Sequence, residues 1–500
     1  RGGRERAVWQ YKIKVYYTNL GGISPGQSVV FTFNKPMEGR TGWDDVAVFS
    51  TFADEPTRAD RAMVIDFWGS HVKYVVNPWE MVYPSPAYLR QIAAATTILG
   101  HPLAVSRSSE PVSRSYYKMR ELFVDFELIQ PTANRARILC VAESPGGFIQ
   151  AILDARSALI GRQDSIVAIS IPTKQYGEGT WAKLVNKLDD RKGDKVTIRS
   201  VPGQEAGNGV TLDLIGGVAA DDEAAKAQGD ILVDNMVNVN NMLQGIDVAN
   251  DPFYTIDEDG SITEVDMADL ITADGGFPHD KSASTEEMES SQLILGEILV
   301  ALKAQNKGGH FVLKVFDIAT DFMAGLVACL SYCYESISFS KPASSRVASS
   351  EKYIICKNFN ASDDDRARIV EDLTAVMAAI QKSETEAAAA AEDEEEETVE
   401  DDDEEGQAPK KKGVKKYMKT LVAMLDDTLK VAIKHYNIKF MEQQINFIHS
   451  GVSYAKEYTT KVQKSQSKDI YHSISAKSTI QASKATDFYG KYRISHSQAT

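Results

Sequence analysis

Five short stretches carry residue types that could do chemistry. Glu143-Ser144-Pro145-Gly146-Gly147-Phe148 follows the apolar run RILCVA and opens FIQAILDARSALIG, which is apolar at helical spacing. Two glycines let backbone approach a ligand closely, and a helix N-terminus offers free N–H groups. Pro-Gly-Gly before a helix is equally ordinary turn chemistry. Asp274, in ADLITADGGF, stands where a strand ends and a Gly-Gly turn begins. Its carboxylate would face the same crevice as the first loop, unless it is simply a turn aspartate. Lys314 lies inside the apolar run GGHFVLKVFD. A lysine in a buried strand is costly unless it is paired or has a depressed pKa, and an exposed edge strand would remove the cost. With its pKa pulled down it can act as a base. Lys118, on the predicted helix SRSYYKMRELFVDF, and Glu351, ahead of YIICKNF, each read singly as solvated surface charge.

Those residues need elements to hold them. From about 96 to 360 short apolar strands alternate with amphipathic stretches. RILCVAE, SIVAISIP, ADLITAD, HFVLKVF and EKYIICKNF read as strands; FIQAILDARSALIG, SQLILGEILVALKAQ and FMAGLVACLSYCYESI read as helices. The alternation predicts an α/β fold, a doubly wound Rossmann-like sheet with helices on both faces. Residues 175–265, richer in Gly, Asn and Asp, read as an insertion or long loops. A strand-rich N-terminal extension is expected over 1–95, from VWQYKIKVYY, SVVFTF and HVKYVV. After the domain at 96–361, one surface helix is expected over 362–383 and an acidic disordered linker over 384–412. A basic, mainly helical region would follow over 413–500.

Charge and composition narrow the function. The formal net charge of -15 is a sum of opposed blocks: residues 384–405 hold 14 Asp/Glu and no Lys/Arg, while 410–500 carry a net of +11. The global sign therefore excludes neither RNA nor DNA. KKKGVKK and KHYNIK could contact phosphates, solubilise the tail or dock a partner protein, and the acidic run could shield them in cis. The GxGxxG dinucleotide fingerprint and the GxxxxGK[ST] phosphate loop are both missing. That disfavours dehydrogenase and NTPase readings. Four cysteines, with no CxxC pair, are too sparse for a disulfide scaffold and argue against a zinc site or any other metal. They suit a reducing, cytoplasmic setting. No run approaches eighteen apolar residues, so no membrane span is expected. The start, RGGRERAVWQ, has no signal-type apolar stretch and no Met, and reads as a fragment or a processed form.

Taken together, the four charged residues have a precedent. Lys118, Asp274, Lys314 and Glu351 stand in chain order within SRSYYKMREL, LITADGGF, FVLKVFD and KPASSRVASSEKYIICKNF. In these contexts residues 106–360 resemble the FtsJ-like (RrmJ-type) RNA 2'-O-methyltransferases, a family marked by an ordered Lys–Asp–Lys–Glu tetrad. The flavour is that of the cap-specific mRNA branch, as found in large DNA viruses. Gly229-Asp230-Ile231-Leu232 is similar to that group's GDI element and would put Asp230 near the cofactor. One departure is that SIVAISIP ends without the acidic residue many methyltransferases use on the ribose hydroxyls.

The resemblance implies S-adenosylmethionine as cofactor, bound by residues 143–148, Asp230 and Asp274. The capped 5' end of an mRNA would be the substrate and a capping-machinery protein a partner, in a host cytoplasm or virion if the source is viral. It implies that Lys314, its pKa lowered, takes the proton of a ribose 2'-hydroxyl, that Lys118 adds positive potential, that Asp274 positions cofactor and lysine, and that Glu351 orients the network. Methylation of ribosomal or transfer RNA, or an idle RNA-binding scaffold, are the alternatives.

Overall fold

Glycine and burial set the geometry around the first loop. The computed structural model describes, with short gaps, residues 111–171, 181–189, 196–199, 210–215, 268–276 and 286–397, plus short strands and single positions outside these. Helix α1 (Ser115–Asp125) precedes strand β4 (Arg137–Val141), which runs through a tight turn into α2 (Gly147–Arg156). Gly146 caps α2 at φ +101°, a left-handed conformation that a side chain resists. A Cβ on Gly147 would overlap the Ser113 and Ser115 hydroxyls at the start of α1. The second glycine therefore lets two helices touch. Gly147→Ala is expected to lower stability by about 1–3 kcal/mol through overpacking; an unchanged denaturant midpoint would contradict this packing of α1 on α2.

The other strands of the sheet are β5 (Ser165–Ile169), β6 (Val196–Arg199), β7 (Val210–Ile215), β10 (Ala268–Ala273), β11 (Gln305–Val315), β12 (Tyr334–Ser340) and β13 (Lys352–Phe359). N-terminal strands β1 (Val8–Lys14) and β2 (Ser28–Asn34) extend it, giving ten strands in the order β2-β1-β12-β13-β11-β10-β4-β5-β7-β6. From β6 to β11 neighbours run parallel, while β13 is antiparallel to both β11 and β12. The chain winds outward from β4 through β5 and β7, then returns to lay β10 on β4's other side. The carboxyl ends of β4 and β10 thus form the switch point, where open α/β sheets bind ligands. At the opposite end Asp269 takes bonds from the Arg137 backbone N–H and guanidinium (2.9 and 2.8 Å), which ties β4 to β10.

Two apolar layers cover the sheet. Helices α4 (Glu286–Ala304), α5 (Asp321–Cys333) and α6 (Asp363–Glu397) close one face over Val141, Ile271, Leu313 and Ile354. α1, α2 and α3 (Ala182–Asp189) close the other over Cys140, Val312, Tyr353 and Ile355. Because strand side chains alternate, Lys314 shares the face of Val312, the α1 face.

The doubly wound sheet agrees with the strand–helix alternation, but boundaries differ. The helix expected over FMAGLVACLSYCYESI stops at Cys333, and Tyr334–Ser340 is strand β12. Tyr334 and all of 337–340 are buried in that strand, and no Gly or Pro marks its start. Part of the stretch read as insertion or loops is α3, β6 and β7, and a hairpin of β8 (Tyr254–Ile256) and β9 (Ile262–Val265) follows. Helix α6 runs to Glu397, fourteen residues beyond the expected end at 383 and into the acidic run. Alanine and glutamate are strong helix formers, and that propensity overrides like-charge repulsion there. Its face of Ile369, Leu373, Val376, Met377 and Ile380 is buried. Tyr417–Met418, expected in a C-terminal helix, pair instead as strand β14 with β3 (Trp43–Asp44). HVKYVV, Asp230 and most of 413–500 lie outside the described residues.

Candidate active site

Two ion pairs occupy the switch-point end of the sheet. Lys118 of α1 meets Glu351, just before β13, at 2.7 Å. Lys314 of β11 meets the Asp274 carboxylate at 3.2 Å and donates to the Asp274 carbonyl at 2.6 Å. The four side chains are only 11–15% exposed. Four residues spread over 234 positions are thus brought together, and none reads as solvated surface charge. Register explains half of it: Ala273 lies beside both Val141 and Leu313, so Asp274 follows β10 next to the first loop and next to Lys314.

Burial opposes the charge on Lys314, yet Asp274, Glu351 and Glu297 outweigh it and hold the ammonium above the ordinary lysine pKa. This corrects the expectation of a lowered value, which considered burial and positive neighbours but not three carboxylates. Burial likewise works against Glu351, but Lys118, Lys314 and Lys341 keep it ionised well below the usual carboxylate range. The Lys314 pair and the Lys118 pair form one coupled set.

The first loop divides its labour. Glu143 is 3% exposed and accepts a bond from the Thr272 hydroxyl at 2.6 Å through Oε1, while Oε2 has no partner. Burial, and next Asp274, push its pKa well up. Ser144 donates its N–H towards Ser170 Oγ at 3.4 Å. Gly146 N–H bonds the Glu143 carbonyl at 2.7 Å, closing the turn that contains Pro145. Phe148, expected to meet the cofactor, has its side chain fully buried, with the ring 5.9 Å from that of Tyr353.

Three neighbours were not anticipated. Tyr353 donates to Asp274 Oδ1 at 3.1 Å; its place two residues beyond Glu351 at strand spacing was the available signal. Ser345 donates to Glu351 Oε1 at 3.0 Å from within KPASSRVASS. Glu297 on α4 is fully buried and accepts the Gly275 N–H at 3.1 Å, with Oε2 unpartnered. A lone acid inside LILGEILVAL was its signal.

Burial raises the Glu297 pKa from 4.5 to about 8, the pull of Lys314 and the Gly275 bond notwithstanding. The folded protein therefore keeps a proton there that the unfolded chain has released, and stability falls between pH 4.5 and about 8. Glu297→Gln retains the acceptor and cannot ionise. It is expected to lose less thermal stability than wild type between pH 6 and 8.5; parallel melting curves would contradict this.

Residues 111–359 match the family described as FtsJ-like methyltransferase. A cap-specific mRNA (nucleoside-2'-O-)-methyltransferase 1 of Drosophila melanogaster is 38% identical over 141 residues, 25% of this chain and 18% of that protein. The Homo sapiens protein of the same name is 37% identical over 134 residues, 23% of this chain and 16% of its own. The chain thus spans under a fifth of either relative. Among solved structures, human methyltransferase-like protein 13 in complex with SAH aligns with 53% of this chain and 92% of its own, at 12% identity and a TM-score of 0.26. That likeness is too slight to argue from. Residues 111–359 thus form an FtsJ-like methyltransferase domain, on a doubly wound sheet whose switch point carries the four charged residues.

Proposed function

We propose that this chain transfers a methyl group from S-adenosylmethionine to a ribose 2'-hydroxyl of RNA, at the capped 5' end of an mRNA. The observation that carries the reading is the assembled quartet Lys118–Glu351 and Lys314–Asp274 at the carboxyl edge of the sheet. Two features support the cofactor. Glu143 and Glu297 each turn a buried, unpartnered carboxyl oxygen into the neighbourhood of Asp274, which suits a ligand carrying an ammonium and a sulfonium. The turn at 143–147 gives the close backbone approach a nucleoside needs. Two cap-specific relatives, of Drosophila melanogaster and Homo sapiens, support capped mRNA; an affinity with enzymes of large DNA viruses rests on the LITADGGF, FVLKVFD and KPASSRVASSEKY contexts alone. A capping-machinery partner, a cytoplasmic or virion location, and domain boundaries at 96 and 361 belong to the same proposal.

The chemistry follows from the charges. A 2'-hydroxyl is a weak nucleophile at neutral pH, and its proton must leave as the new O–C bond forms. When bound, S-adenosylmethionine supplies a methyl that needs alignment more than a metal. Lys314 is the residue placed to receive that proton on Nζ, and it must first give up its own. Its hold weakens when Asp274 is shared with a second cation, which brings the neutral amine within reach. Glu351 fixes Lys118 beside it, so a positive potential faces the developing alkoxide. Tyr353 and the carbonyl of Asp274 keep the aspartate and Lys314 in register.

The test is transfer of labelled methyl to one short transcript, prepared with and without a methylguanosine cap. Label confined to the first transcribed nucleotide of the capped RNA is expected. Equal label in uncapped RNA would redirect the proposal to structured RNA, and no label with normal cofactor binding would favour an idle scaffold.

A further inference from the structure

Beyond β14, five positions of the C-terminal region are described, and all five are buried: Leu429, Ile433, Tyr436, Asn437 and Phe440. Their spacing is that of one helical face. Tyr436 stacks on Phe339 at 4.9 Å and 27°, and on Phe440 at 6.4 Å and 14°. Asn437 Nδ2 donates to the Ile318 carbonyl at 2.6 Å. The Phe440 ring faces two ammonium groups, Lys352 at 4.2 Å and Lys341 at 5.3 Å from its centroid.

These contacts fall on segments that lead into the quartet. Phe316 and Ile318 follow Lys314 by two and four residues, Phe339 and Lys341 bracket the end of β12, and Lys352 adjoins Glu351. Lys341 donates to the Glu351 carbonyl at 2.6 Å, and Lys352 donates to the Phe316 carbonyl at 2.6 Å. Lys352 is 1% exposed. An aromatic face can accompany a desolvated ammonium where an aliphatic side chain cannot. One ring therefore backs two lysines, one bonded to the backbone of the catalytic glutamate and the other to the turn that follows the catalytic lysine.

We propose that the C-terminal residues Leu429, Ile433, Tyr436, Asn437 and Phe440, outside the family-matched region, act as a positioning element of the methyl-transfer site, in which Phe440 holds Lys341 and Lys352 against their backbone acceptors and so fixes Glu351 relative to Lys314. Its bearing on turnover rests on the methyltransferase reading; its bearing on loop order does not.

The experiment uses the full chain with Phe440→Leu, which keeps apolar bulk and removes the ring face, and Phe440→Trp, which keeps a ring. Phe440→Leu is expected to lower kcat about tenfold, leave KM for S-adenosylmethionine within about twofold, and speed amide exchange of 341–352 about tenfold. Exchange in β4 and β10 stays at the wild-type rate, and Phe440→Trp restores kcat and exchange. Wild-type turnover and exchange in Phe440→Leu would overturn the proposal. So would a lowered kcat without faster exchange at 341–352, or exchange faster everywhere. If the wild-type protein methylates no RNA, the methyltransferase reading fails, and exchange at 341–352 alone decides the positioning role: faster in Phe440→Leu sustains it, unchanged overturns it.

Discussion

Lys314→Ala is expected to remove methyl transfer, by about 10²–10⁴-fold in kcat, as the loss of a positioned proton acceptor does. Binding of S-adenosylmethionine should remain within a few fold. The two effects separate because the turn at 143–147 and the carboxyls of Glu143 and Glu297 do not depend on the lysine for their position. Removing the ammonium leaves Asp274 without its ion-pair partner in a site only 11–15% exposed, so the folded state of the variant is checked by thermal melting alongside. Wild-type kcat should rise with pH towards the alkaline side, because Asp274, Glu351 and Glu297 keep the acceptor protonated below it. A loss of binding equal to the loss of turnover, measured by calorimetry and single-turnover kinetics, would remove the proton-acceptor role.

The second large effect concerns stability alone. Asp164→Ala is expected to cost about 3–5 kcal/mol, the range for breaking a buried ion pair on one side. Arg156 grips Asp164 with two bonds, Nε at 2.8 Å and a terminal nitrogen at 2.7 Å, both side chains being at most 2% exposed. Arg162 stands 3.6 Å from the same carboxylate. Without Asp164 two guanidinium groups would share a dry site at the end of α2, with the backbone carbonyls of Ala133 and Leu153 among their remaining partners. Urea unfolding reads the change, and a midpoint shift worth under about 1 kcal/mol would mean that water reaches the pair.

Sequence reading went furthest where local pattern and chemistry coincide. β4, β10 and β11 are apolar runs ending at a glycine turn or at a costly lysine, and both the strands and Asp274 and Lys314 could be read from them. Lys118 and Glu351 could not be told from surface charge by pattern; they became legible through the motif contexts, and the fold pairs them across 233 positions. β12 stayed hidden because α5 passes into it without a breaker. The pKa of Lys314 went the other way because its sign depends on carboxylates from three separate elements, and one of them, Glu297, sits in a helix that reads as plain core.

The most direct test is where the methyl lands. RNA incubated with the wild-type protein and labelled S-adenosylmethionine would be hydrolysed in alkali, which cleaves after every nucleotide with a free 2'-hydroxyl and spares a 2'-O-methylated one. Recovery of the label in an alkali-resistant fragment that keeps the cap joined to the first two nucleotides, and none on a substrate with a 2'-deoxy residue at the first position, is the predicted result. Label released on a single nucleotide, with the methyl on a base, would contradict the account.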